Sequence, residues 1–213
     1  MFRRFLSKIL NRDLYFKTSS HYWDRRYRTG GNSGSGSQKR LAAFKANVLN
    51  DFVERHQIDS VIEYGCGDGG QLKLAHYPSY IGVDVSMRAV EICRSLFEGD
   101  PSKRFFQLES VPPDAIADLS LSLEVIFHLV EDPVFDAYMR RLFESARRFV
   151  ILYSSNMEQE SPGRHVRHRQ FTRWIEDNQP SWHLQDTIKN PYPFDPANPD
   201  ETSFSDFYIF APV

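Results

Sequence analysis

The sequence predicts an α/β domain: a mostly parallel, doubly wound sheet with helices on both faces and an antiparallel hairpin at its C-terminal end. Three observations predict it. Short β-rich runs alternate with helical runs between residues 61 and 153, the rhythm of parallel strands joined by crossover helices. A glycine-rich turn follows the first of these strands and precedes a helical segment. The last two strand-like runs are separated by the Pro-rich residues 190–199 with no helix between them, so they pair as an antiparallel hairpin.

The elements follow in order. Residues 1–28 carry eight Lys and Arg against two Asp, a charge of +6 that leaves −8 for the remainder. Phe2, Phe5, Leu6, Ile9 and Leu10 recur at helical spacing, with Arg3, Arg4, Lys8 and Arg12 on the other side. Such an amphipathic helix docks on its own domain or a partner subunit, with an anionic membrane surface as the second option. Tyr22 to Tyr27 then lead into residues 30–37, so poor in apolar side chains that a mobile loop is expected. This divides the chain into a basic N-terminal and lid segment, 1–38, and a domain, 39–213.

Residues 39–56 place Leu41, Ala42, Phe44, Ala46, Val48, Leu49, Phe52 and Val53 at a helical period. Strands are predicted at 61–64, 80–83, 105–108, 119–123 and 149–153, and helices at 71–76, 89–97 and 134–147. A helix at 171–178 and strands at 182–188 and 204–210 complete the order.

Composition narrows the classes. With 213 residues, 41% hydrophobic and 25% charged, the chain has the composition of one globular domain with an appendage. A net charge of −2 is far from the basic balance of a phosphate-binding domain, so nucleic acid is not the expected partner. The two cysteines, Cys66 and Cys93, are too few for a disulfide framework and fit a reducing, cytoplasmic compartment. No stretch reads as a membrane span or a secretory signal.

The strongest local signal is Glu63-Tyr64-Gly65-Cys66-Gly67-Asp68-Gly69-Gly70. Glycines at such a turn allow positive φ and close approach of a ligand to the backbone. Asp84 ends the next strand 19 residues after Gly65, where a carboxylate accepts hydrogen bonds from ribose hydroxyls, so the site is Rossmann-like and takes an adenosine-like ligand. A dinucleotide such as NAD would bring a pyrophosphate, which Glu63 at the mouth repels. S-adenosyl-L-methionine brings no phosphate and an ammonium, for which Glu63 and Asp68 are assets. Glu63 also fits the plainer task of capping loop amides.

These residues, together with Gly82-Val83-Asp84-Val85-Ser86 and the run 121–129, resemble successive motifs of class I S-adenosylmethionine-dependent methyltransferases. The resemblance spans roughly residues 39–213 and implies a sheet of about seven strands with one antiparallel strand near its end. It implies that Glu63, Gly65, Gly67 and Gly69 line the methionine half of the cofactor and that Asp84 holds the ribose. Glu109 or Ser110 would flank the adenine, although the family often has Asp there, and Leu123 and Glu124 would border the site. The segment Tyr22-Trp23-x-x-Arg26-Tyr27 with its Gly/Ser loop resembles a preface of small bacterial members, some acting on glycans or natural products.

The implied reaction is in-line methyl transfer to a small-molecule or glycan acceptor, releasing S-adenosyl-L-homocysteine, with a polar or anionic hydroxyl compound favoured over an amine. An oxidoreductase using NAD, and a cofactor-binding module without catalysis, are the alternatives. A hydroxyl acceptor calls for a base, and His128, just past the fourth strand, is the first candidate, with a hydrogen-bonded core histidine as the plainer reading. The run Arg164-His165-Val166-Arg167-His168-Arg169, with Arg173, supplies His165 and His168 as further candidates and guanidinium groups for an anionic acceptor. No Cys or carboxylate cluster accompanies these histidines, so no metal is expected. Trp23 would cover the sulfonium and Arg26 meet the cofactor carboxylate.

Overall fold

The computed structural model describes residues 16–159, 161 and 163–213. The helix expected around residues 2–10 lies outside them. Seven strands form one sheet: β1 (Val61–Tyr64), β2 (Tyr80–Asp84), β3 (Lys103–Gln107), β4 (Ala117–Leu123), β5 (Ala146–Ser154), β6 (Trp182–Ile188) and β7 (Asp206–Pro212). Their order is β3-β2-β1-β4-β5-β7-β6. The first five run parallel, and β7 inserts antiparallel between β5 and β6, as the hairpin requires. The α/β, Rossmann-like sheet of seven strands is therefore present.

Period-two alternation distributes the core. Val61, Leu119, Leu121, Ile151, Tyr153 and Phe207 point to one face, against α2 (Lys39–Arg55) and α3 (Met87–Leu96). Their neighbours Ile62, Tyr64, Val150, Leu152 and Tyr208 point to the other, against α4 (Asp132–Glu144) and α5 (Phe171–Asn178). Residues 61–64 are all buried, and Val61, Ile62 and Tyr64 with the glycine turn that follows made this strand legible to the residue.

Several boundaries depart from expectation, the last strand among them, which runs Asp206–Pro212 where 204–210 was expected. Residues 71–76 form only a single 3₁₀ turn, Leu72–Leu74, because Pro78 and the return to β2 leave no length for a helix. Helix α4 starts earlier, with Pro133 in its first turn, and stops at Glu144. Residues 146 and 147 go instead to β5, where Ala146 pairs with Ala117. The third strand begins at Lys103, and Leu108 turns out of it.

Helix α1 (Ser19–Arg28) crosses the C-terminal edge of the sheet. Thr18 caps it through His21 N. Ser19 N donates to Glu131 at 2.9 Å, Ser86 Oγ donates to Asp24 at 3.1 Å, and Ser33 N donates to Asp68 at 3.1 Å. The expectation of a mobile loop at 30–37 is thereby corrected: Ser35–Ser37 form a 3₁₀ turn, and the hydroxyl and amide of Ser33 are bonded to Asp68 of the glycine loop. The strand order reverses between β1 and β4, and a ligand crevice opens at the carboxyl ends of strands at such a switch point.

Candidate active site

At that switch point lies a cavity, open to solvent on one side. Its walls come from the ends of β1 (Glu63, Tyr64, Gly65), β2 (Val83, Asp84) and β4 (Leu123, Glu124), from Lys45 of α2, and from Trp23 and Tyr27 of α1. Gly65 has φ +85°, and a Cβ there would meet Val125 at 2.4 Å. Gly67 has φ +59°, and its Cβ would stand 2.3 Å from Ser33 Oγ and 2.8 Å from the Tyr27 hydroxyl. Only glycine permits this close stacking of the loop under the N-terminal segment.

The carboxylates are deeply placed. Glu63 is 4% exposed and accepts from the Tyr80 hydroxyl at 2.6 Å. Burial pushes its pKa up to about 7, against the opposing effects of the Tyr80 bond and the Lys45 charge. Asp84 accepts from Gly67 N at 3.0 Å and Ser86 N at 2.9 Å, and burial lifts it to about 6. Each of its oxygens keeps a lone pair for a further donor.

A second, outer groove adjoins the cavity. It is lined by Tyr22, Trp23, Arg26, Phe127, His165 and the loop 32–36 among others, and it shares Trp23, Ser33, Glu124 and His128 with the inner cavity. These four stand in the wall between the two spaces. Tyr22 stacks on His165 at 4.4 Å, and His165 lies parallel to His128 at 5.8 Å. Trp23 meets His128 edge-on at 4.9 Å.

His128 Nδ1 lies 3.0 Å from the His165 carbonyl oxygen. A carbonyl only accepts, so Nδ1 carries the proton and Nε2 a lone pair. Burial among these rings, with the charges of His165, Arg26 and His168 adding to it, pushes the His128 pKa down to about 3, so the ring is neutral at physiological pH.

The other expected residues fall differently. Asp68 accepts from Ser33 Oγ at 2.8 Å and fixes the N-terminal loop, outside the cavity lining. Gly69 packs on Cys93, Leu96 and Phe97. Glu109 and Ser110 are exposed, and Leu108 lines the cavity in their place. Arg26 belongs to the outer groove, where its Nε donates to Asn32 O at 2.6 Å. His168 lies outside both spaces: its Nδ1 is 2.7 Å from Ser155 Oγ, behind Phe127.

The basic run is also redirected. Arg167 and Arg169 donate to Asp132 at 2.8 and 3.0 Å and to carbonyls of Leu129 and Val130. They satisfy the exposed carbonyls of the β4–α4 connection rather than an anionic ligand. Among the described residues no group of three or more His, Cys, Asp or Glu is placed to hold a metal ion.

Lys45 escaped sequence reasoning. Its one signal is position: Leu41, Lys45 and Leu49 fall at i, i+4 and i+8 on the buried stripe of α2. Ser33 gave no signal, since its partner Asp68 is 35 residues away.

Residues 62–151 match the family described as a methyltransferase domain. No curated protein matches the sequence. Among solved structures, the chain resembles magnesium protoporphyrin IX methyltransferase from Synechocystis with bound SAH (18% identity, TM-score 0.62, covering 96% of this chain and 98% of that one). It also resembles the methyltransferase domain of bacterial CtHen1 (22% identity, TM-score 0.59, covering 78% and 97%). A third likeness is to an rRNA methylase from Escherichia coli (18% identity, TM-score 0.55, covering 82% and 65%). Identities this low carry the fold, and the acceptors named for two of these proteins, a magnesium protoporphyrin and rRNA, differ from one another.

Proposed function

We propose that this chain, an S-adenosylmethionine-dependent methyltransferase with the class I fold, methylates a hydroxyl of a small polar acceptor that enters by the outer groove. When bound, the cofactor supplies an electrophilic methyl on a sulfonium, with S-adenosylhomocysteine as the leaving group. The cavity suits it: Glu63, Asp84 and Glu124 beside one lysine, Lys45, match a ligand with two cationic groups, one carboxylate and no phosphate. Glu63 would face the ammonium, Asp84 the ribose hydroxyls, and Gly65 and Leu123 the methionine chain between them.

Supporting the hydroxyl acceptor is one observation above all: the His128 Nδ1 bond to the His165 carbonyl leaves Nε2 as an acceptor in the wall shared by cavity and groove. From there Nε2 orients the acceptor hydroxyl and takes its proton as methyl transfer proceeds. A small acceptor is favoured over nucleic acid because the charge balance is −2 and because Arg167 and Arg169 are engaged internally. Incubation with S-adenosylmethionine and either hydroxylated small molecules, sugars included, or total RNA, reading S-adenosylhomocysteine release, tests this. Turnover is expected with the small acceptors, and turnover with RNA alone would reject the acceptor class.

Glu63 gives cofactor binding a pH dependence. Its pKa is raised from 4.5 to about 7, so folding without ligand favours the protonated form. The corresponding stability is full below about pH 4.5 and is lost as pH rises through 7. Binding an ammonium needs the opposite, ionised form. Affinity for S-adenosylhomocysteine should therefore fall by up to about tenfold per pH unit below 7, while the unliganded melting temperature rises. Calorimetry at pH 5.5, 6.5 and 7.5 measures both trends, and Glu63→Gln should reduce them to the part contributed by Asp84, which burial lifts to about 6.

Trp23 covers the cavity mouth from α1 but is only half-buried. Trp23→Ala should weaken S-adenosylhomocysteine binding by about 5- to 30-fold, corresponding to 1–2 kcal/mol of lost aromatic contact. The melting temperature should move by only a few degrees. An unchanged dissociation constant would remove Trp23 from the site.

A further inference from the structure

Lys45 and Glu124 form a buried ion pair against the cavity. Lys45 Nζ donates to Glu124 Oε2 at 2.8 Å, and the lysine side chain is 1% exposed. Lys45 is the one Lys or Arg among the described residues of the cavity lining. Glu124 is held in a backbone state uncommon for a non-glycine residue, φ +60°. Its amide donates to Tyr153 O at 2.7 Å, and Ser203 Oγ donates to Oε1 at 3.2 Å. The N-terminal loop closes directly over it: a Cβ on Gly36 would come 2.1 Å from Oε2. Glu124 also lines the outer groove, whereas Lys45 faces only the inner cavity.

A carboxylate taken out of water requires a cation, and a buried cation requires an anion. Resting on the methyltransferase reading, we propose that Lys45 exchanges Glu124 for the carboxylate of the cofactor, and that Glu124, so released, presents its carboxylate to the outer groove. Arg26, which sequence reasoning placed on the cofactor carboxylate, lies in that groove and does not line the cavity. In the exchange Lys45 keeps one counter-anion throughout. Glu124 then keeps the Ser203 Oγ bond at Oε1, and its Oε2 is open to a donor on an acceptor seated in the groove. The acceptor therefore carries a hydroxyl or ammonium beside the methylated atom, and cofactor loading precedes tight acceptor binding.

The test uses calorimetric titration of the full chain with S-adenosylhomocysteine and with decarboxylated S-adenosylmethionine, which lacks the carboxylate. Lys45→Met should weaken the first by roughly 10- to 100-fold, the range for a hydrogen bond to a charged group. Glu124→Gln should tighten it several-fold, because Lys45 no longer has a competing partner. The double variant Lys45→Met/Glu124→Gln strands no charge, which guards against misfolding. It should bind S-adenosylhomocysteine as weakly as Lys45→Met and the decarboxylated compound about as well as the wild type. Unchanged S-adenosylhomocysteine affinity in the Lys45 variants would overturn the proposal. So would weakening by Glu124→Gln, the mark of a purely structural pair. A wild-type chain that binds neither compound would instead overturn the underlying methyltransferase reading.

Discussion

Gly67→Val should reduce affinity for S-adenosylhomocysteine by more than about 100-fold while the sheet remains folded. Gly67 sits at φ +59°, a region that costs a β-branched residue at least about 1–2 kcal/mol. The larger effect is steric. The new Cβ would lie 2.3 Å from Ser33 Oγ, so the N-terminal loop must lift and give up the Ser33–Asp68 bonds of 2.8 and 3.1 Å. Gly67 N also anchors Asp84 at 3.0 Å, so a shifted loop displaces the carboxylate meant for the ribose. With about 2–4 °C per kcal/mol for a domain of this size, the melting temperature should fall by roughly 5–10 °C. Gly99→Ala is the control: its φ is +86°, but no atom lies within 4 Å of the added Cβ. It should lose a little stability and no affinity. Near-normal binding by Gly67→Val would show that the loop does not cradle the ligand.

His128→Ala should lower kcat by about 10²-fold or more at saturating cofactor, with the S-adenosylhomocysteine dissociation constant within a few-fold of normal. The burial that keeps His128 neutral, with a pKa near 3, also makes it a weak base, so the lower end of the usual 10²–10⁴ range is expected. The sign of its pH dependence follows. His128 is already in its acceptor form above about pH 4, so it contributes no acid limb near neutrality. A limb between pH 6 and 7 belongs to Asp84 and Glu63 and should appear in kcat/KM for the cofactor. His168→Ala should leave kcat within a few-fold, since that ring faces Ser155 behind Phe127. Equal losses in both variants would reject the distinction drawn between them.

Much of this architecture was legible because it is written in local chemistry. Strand β1, helix α5 and strand β6 fall on the expected residues, each being a short apolar or amphipathic run bounded by Gly, Pro or Asn. The glycine loop and Asp84 were legible for the same reason, since turn, strand end and carboxylate follow at fixed spacing. What stayed hidden depends on distant partners. Arg167 and Arg169 look like an anion site until Asp132 and the carbonyls of 129–130 are seen to fill them. Asp68 looks like a cofactor ligand until Ser33 arrives from 35 residues away. Lys45 is invisible as a site residue because only the closed fold brings Glu124 across to it.

The most direct measurement is a calorimetric titration of the purified chain with S-adenosylhomocysteine, run beside NAD(H). Micromolar binding of the first and none of the second is expected, since Glu63 at the strand end repels a pyrophosphate and attracts an ammonium. Binding of NAD(H) alone, or of neither compound, would contradict it.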